Sequence, residues 1–234
     1  MQRFIIFLLL SCAGAASAQP KLPAALQKAV LQGWQATHYA SGDLNGDRQA
    51  DAALIIQQQN PALRLQNDGL GWDTLDTNPR RLLVLLRDKQ RYRLLAQSPD
   101  SLLPPSGSTE NPCLEDPLGD DALSIKRGRL WLAPNYWLSC GSYGVLRNHY
   151  QFRYQNRTMQ LIGIDSNSFS RATHEESHDS ANLLSGKIKT VTGINLDEPA
   201  EHHPREQWRR ITRLPETDLQ RMTNLPEIRN LYHD

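Results

Sequence analysis

Two short stretches hold side chains whose types and spacing suit chemistry. The first is GDLNGDRQAD at 42–51, where Asp43, Asn45, Asp47 and Asp51 stand two, two and four residues apart. Calcium is a hard cation that takes several oxygen ligands in a flexible shell. Counted from Asp43, these residues fill the first, third, fifth and ninth places of a loop. Gln49 at the seventh adds a backbone carbonyl, and Gly46 lets the chain curl. Asp43, Asp47 and Asp51 crowd three carboxylates into nine residues, which repel unless a cation or Arg48 offsets them. The competing reading is a metal-free turn in which Asp and Asn bond nearby amides.

The second stretch is HEESHD at 174–179. His174-Glu175-x-x-His178 is the spacing that, on a helix, sets two imidazoles on one face for zinc, with the glutamate as base. Glu198, His202 and His203 are the candidates for a third ligand. A helix could begin at Thr173, but strong apolar residues come only at Leu183 and Leu184. A solvated polar loop is therefore the alternative. A third combination, Ser142 with His149 and Asp165, makes a catalytic triad on paper. The glycines of CGSYG at 140–144 do not give the Gly-x-Ser-x-Gly elbow, and they suit a tight turn better.

The first loop follows the opening of an EF-hand loop and then departs from it. Arg48 stands where that motif has glycine, Leu54 stands where it has a bidentate glutamate, and the following AALIIQ is β-like. Residues 42–56 resemble instead the aspartate-rich calcium loops of FG-GAP and VCBS-type β-repeats, again with Arg48 in place of the usual glycine. That resemblance implies calcium held by Asp43, Asn45, Asp47 and Asp51. It does not extend to a propeller, which needs several blades of about 40 residues each. NYWLSCGSY and FRYQNRTMQLIGID are similar to stretches in a group of secreted proteobacterial proteins, a likeness that implies no reaction.

Compartment follows from the first eighteen residues. Arg3, the apolar run Phe4–Leu10 and Ala16-Ser17-Ala18 make a secretory signal cleaved before Gln19. The apolar run is too short for ~30 Å of hydrocarbon. Leu9-Leu10-Ser11-Cys12 offers a minority alternative, an outer-membrane lipoprotein anchored through Cys12. Cleavage after Ala18 leaves Cys113 and Cys140, which an oxidising compartment would join. Loss of Arg3 takes the formal charge from +1 to zero, so nothing global favours nucleic acid. The Arg pairs at 80–81 and 209–210 read as solvated edges.

The elements that must position these groups are mostly strands. Residues 22–35 have near-helical apolar spacing, with Gly33 ending the helix. Strands are expected at 52–58, 80–88 and 91–98, then at 122–128, 129–135, 149–156, 157–168 and 185–194. Residues 60–80 and 99–121 are turn-rich; the latter holds four prolines and two glycines from Pro104 to Asp121. The tail, with two Leu-Pro pairs, is either loose or bound to a partner.

The expectation is a mainly β or α+β fold: one domain with an antiparallel sheet, a short N-terminal helix and long turn-rich loops. The segments are a signal at 1–18, a β-rich domain at 19–200 and a polar extension at 201–234. The function expected is that of a non-catalytic periplasmic or secreted calcium-stabilised protein binding a periplasmic protein or a cell-envelope component. The alternative is a zinc-dependent hydrolase using His174-Glu175-x-x-His178.

Overall fold

The computed structural model describes residues 20–195, 197 and 203–232. The signal segment at 1–18, including Cys12, lies outside the described residues, as do Glu198 and His202. The fold is predominantly β, a single domain of antiparallel sheets with a short N-terminal helix and turn-rich connections.

The inner sheet holds β1 (Trp34–Gly42), β2 (Asp51–Gln58), β5 (Arg80–Asp88) and β6 (Arg91–Gln97), in the order β1-β2-β5-β6. Its central strands are buried on both faces, as the unbroken apolar runs require. Side chains alternate across a strand, and the register Ala53↔Val84 and Ile55↔Leu82 sends one row into the main core. Ala52↔Leu85 and Leu54↔Leu83 form the opposite row, covered by Leu26 of α1 (Ala24–Gln27) with Trp34, Tyr39 and Tyr92 packed alongside. The helix is shorter than the spacing over 22–35 predicts. Gly33 turns the chain at φ +75°, and Trp34 joins the strand that pairs the free edge of β2. The strand at 34–42 is absent from the sequence reading because WQATHYASG has no clean alternation.

Residues 60–80 carry a small hairpin, β3 (Arg64–Gln66) with β4 (Thr74–Asp76). The second sheet has eight strands. They are β7 (Leu123–Lys126), β8 (Arg129–Leu132), β9 (Asn135–Trp137), β10 (Gly144–Gln155), β11 (Thr158–Ser170), β12 (Glu175–Asn182), β13 (Lys187–Asn195) and β14 (Arg205–Arg210). The order is β14-β13-β12-β11-β10-β8-β7, with β9 on the start of β10. Two hairpins close with positive φ at both central residues, Arg127-Gly128 and Asn156-Arg157, the geometry that matches strand twist.

The turn-rich 99–121 segment is held at several points. Cys113 and Cys140 are joined, as expected. Arg80 and Arg81 are not solvated edges: Arg80 is 2% exposed and grips Asp116 with both terminal nitrogens, at 2.6 and 2.5 Å. Arg81 pairs with Asp100 and lies 4.4 Å over the Trp34 ring. Arg209 similarly covers Tyr232.

The tail belongs to the same body. Residues 205–210 form the edge strand β14, and Leu219, Met222, Ile228 and Leu231 are buried in the main core. The cause is an open ladder. β12 ends opposite Gly163, leaving the start of β11 without a neighbour on that side. Thr217–Leu219 fills the gap, with Leu161 N donating to Thr217 O at 2.8 Å and Leu219 N to Met159 O at 3.0 Å.

Leu219→Ala therefore lowers unfolding free energy by about 2–5 kcal/mol, the cost of a buried large-to-small change. Leu214→Ala in the same segment, at a side chain 65% exposed, changes it by no more than about 0.5 kcal/mol. Urea unfolding of both variants checks this; equal, small effects would mean that the tail is not core.

Candidate functional site

The aspartate loop links β1 to β2 and is closed by the pair Gly42↔Asp51. Its side chains fold inward onto its own amides. Asp43 accepts from Gly46 N at 2.7 Å and Arg48 N at 2.9 Å. Asn45 Oδ1 accepts from Asp47 N at 3.0 Å, and Asp47 accepts from Gln49 N at 2.7 Å. Gly46 has φ +84°. Arg48 has φ +65°, the left-handed conformation that a glycine would adopt at less cost. The sharp turn of the calcium-loop pattern is thus kept by an unfavourable residue.

Asp51 has a different job. It is fully buried, and its two oxygens accept from separate segments, Leu44 N and Arg87 N, each at 2.8 Å. Burial pushes its carboxyl above the ordinary range, although the two amides pull the other way. Asp47 is exposed and held below that range, first by the Gln49 amide. Gln49 Oε1 accepts from Lys89 N at 2.9 Å, and Tyr92 donates to Ala50 O at 3.3 Å. Asp51 and Gln49 therefore bind the loop to the β5–β6 hairpin. Asp43, Asn45 and Asp47 stay on the rim, where their oxygens keep lone pairs for another partner. Among the described residues, no three His, Cys, Asp or Glu side chains converge as a metal-holding group.

His174-Glu175-x-x-His178 is not helical: His174 closes the turn before β12 at φ +55°, and Glu175–Asn182 is strand β12. Its polar sequence pairs on both edges, with β11 and β13. A turn residue and the fourth residue of a strand do not share the one face that a helix would give the two imidazoles. Their partners also diverge. His174 pairs with Asp197 and stacks on Phe169. His178 meets Asn167 at 3.2 Å and Glu176 at 3.3 Å. His203 is exposed.

The triad on paper comes apart too. His149 and Asp165 are cross-strand partners on an exposed face. Ser142 lies in the turn before β10, its hydroxyl accepting from Gly144 N at 3.0 Å. The five residue steps from Gly144 to His149 put about 17 Å of β10 between them. The turn serves the disulfide loop: Arg171 crosses to Leu138 O at 2.7 Å and stacks 4.1 Å over Trp137.

Two polar sites have no sequence signal. One is a cavity of about 230 Å³ at the end of β2 and β5, lined by Arg80, Asp116, His38, Gln57 and Ser106. Its groups satisfy one another: Arg80 Nε donates to Gln57 Oε1 at 3.3 Å, and Gln57 Nε2 to Ser106 Oγ at 3.2 Å. His38 Nε2 meets Gly119 O at 2.9 Å, and burial pushes the imidazole below its ordinary range.

The other is a face of the long sheet. Tyr150, Ile164, Ala181 and Ile188 form one buried row across β10–β13. One step outward the row is Asn148, Ser166, Asp179 and Thr190; the next has Leu146, Ser168 and Ser177. Thr192 continues this polar face on β13. Cavities of about 410 and 220 Å³ open on this face, the smaller one flanked by Pro226–Arg229. Alternating polar residues mark one strand face, but only the register shows that four strands align theirs. Compared with protein-family models, curated proteins and solved structures, the chain matches none.

Asp51→Ala strands two buried amides, at about 1–3 kcal/mol each. Asp47→Ala costs less than about 1 kcal/mol, because its amide partner can turn to water. The raised Asp51 pKa means that folding binds a proton there. That proton-linked part of the stability is fully present below the unfolded value and is lost as pH rises through the folded one, while the ionised carboxylate still accepts both amides. Denaturant titrations across pH should show that slope vanish in Asp51→Ala; an unchanged slope or a small loss refutes the assignment.

Proposed function

We propose that this is a non-catalytic, calcium-stabilised periplasmic or secreted protein that binds a polar cell-envelope component through the inner face of β10–β13. One observation carries this reading: the inner row changes from apolar to hydroxyl, amide and carboxylate side chains where the sheet leaves the core. Hydroxyls and amides offer both donors and acceptors, which suits a ligand bearing many of each, such as the glycan and peptide of a cell wall. The non-catalytic part draws support from the two histidines, one in a turn and one in a strand, which different partners engage. The envelope location rests on the leader and on the disulfide. Among the described residues no helix is long and apolar enough to cross a membrane.

Co-sedimentation with purified bacterial sacculi tests the binding. The exported protein should pellet with them, and Ser168→Trp or Thr192→Trp should abolish pelleting by filling the face. Ser180→Trp, at an exposed position of opposite strand parity, should pellet normally. Protein that remains in the supernatant, or three variants that behave alike, would sink the proposal.

Calcium enters as a structural ion on the loop rim. Its proposed ligands are Asp43, Asn45 and Asp47, whose oxygens retain lone pairs; Asp51 and the Gln49 side chain are structural ties. So few protein ligands suit the weak end of calcium affinities, roughly 0.1–1 mM. Calcium at ~10 mM should then stabilise the fold by about 1.4–2.7 kcal/mol. Asp43→Ala or Asp47→Ala should remove both that shift and the heat in titration calorimetry. Absence of both in the unmutated protein would leave a turn closed by its own hydrogen bonds.

A further inference from the structure

The long sheet ends at β14, which among the described residues pairs only with β13. From its register and charges we infer that β14 is a self-pairing edge: two copies of this chain join antiparallel through it, centred on Trp208.

The hydrogen-bond parity of β14 comes first. Ile211 N donates to Gly186 O at 2.9 Å, and those residues stand opposite in the register that runs from Lys187↔Arg210 to Thr192↔Arg205. Directly opposed residues that bond to each other define the narrow pairs of an antiparallel ladder. Residues 205, 207 and 209 thus point N–H and C=O at β13. Glu206, Trp208 and Arg210 point theirs away, a row with no backbone partner among the described residues, of the kind that templates another strand.

Parity and charge then select a register. In a two-fold pairing, outward groups meet only when the axis passes beside a residue rather than between two. An axis at Glu206 opposes Glu206 to its own copy. One at Gln207 opposes Arg205 to Arg209, and those at Arg205, Arg209 or Arg210 oppose each arginine to itself. The axis at Trp208 alone avoids like charges. It sets Glu206 against Arg210 twice and Trp208 against Trp208 between them, all on one face. Gln207 meets Arg209, and Arg205 meets Ile211, on the other.

The exposed state of these side chains agrees. Trp208 is 61% exposed, a large apolar side chain on the edge strand. Its ring already has Lys189 at 6.0 Å, and Lys189 pairs with Glu206 at 2.5 Å, so Glu206 lies on the Trp208 face. Arg210 is exposed and has no ion-pair partner among the described residues. Edge arginines ordinarily block pairing; here the same charges permit one self-pairing and oppose its neighbours.

Sedimentation equilibrium on the exported protein, carried into the millimolar range, tests this. The unmutated chain should form a dimer. Arg210→Glu should be monomeric, because it sets glutamate against glutamate at both outer pairs, and Glu206→Arg should be monomeric for the mirrored reason. An equimolar mixture of the two should form a heterodimer, since one supplies arginine and the other glutamate at all four positions. Each variant's thermal melt confirms that it is folded. An unmutated chain that stays monomeric overturns the inference. So does a dimer that survives Arg210→Glu, or single variants that stay apart when mixed.

Discussion

Strands β2 and β5 are buried on both faces, and much of the molecule answers that constraint. Each apolar row needs its own cover: α1 and the ring of Trp34 on one side, the long sheet on the other. Along the strands, paired neighbours satisfy the backbone. At the ends the ladder stops while the surroundings remain dry, and an amide left there without a partner costs about 1–3 kcal/mol. Each end is closed by a buried charged group. Asp51 spans two amides at one. At the other, Arg80 gathers Gln57 and Asp116. Asp116 is 41% exposed on its side chain, so solvent screens that pair and its value lies in placing the 99–121 segment rather than in net attraction.

Legibility in the sequence tracked apolar content. AALIIQQ, RRLLVLLRD and the hairpin 149–168 advertise themselves because burial and alternation are written in the same residues. β12, EESHDSAN, advertises nothing, since it lies mostly beyond the core and buries only Ala181. Its pairing energy is in backbone bonds to β11 and β13, which no side-chain pattern reports. The helical reading of His174–His178 fails for the same reason. Arg80 is the converse case: an arginine opening an apolar run looks like a solvated end, and only the distant Asp116 makes it interior. The tail was illegible because Thr217–Leu219 fills a vacancy created where β12 stops.

The aspartate loop shows why one spacing serves two chemistries. Alternate Asx residues bend a chain by accepting amides two and three residues on, as Asp43, Asn45 and Asp47 do. That bending is what brings alternate oxygens to one side, where a cation would meet them. The two readings therefore share a backbone. They meet at Asp51, which spacing places among the ligands and whose two buried oxygens accept Leu44 N and Arg87 N in the structure.

Beyond the core, the long sheet has no apolar reason to continue, yet β10 to β14 extend it. Polar strands that bury little are held mainly by pairing, and among the described residues pairing leaves an open ladder at the last strand. A polar overhang and an unmet edge are thus one consequence of the same extension. They are also geometrically coupled. A two-fold axis at Trp208 that pairs edge to edge runs perpendicular to the sheet, so both copies turn the same face to the same side. The hydroxyl-lined rows from Asn148 to Thr190 would then continue across the junction through Gln207 and Arg205, residues of matching parity on β14. In a pair so joined, the polar rows of the two copies would form one broad floor.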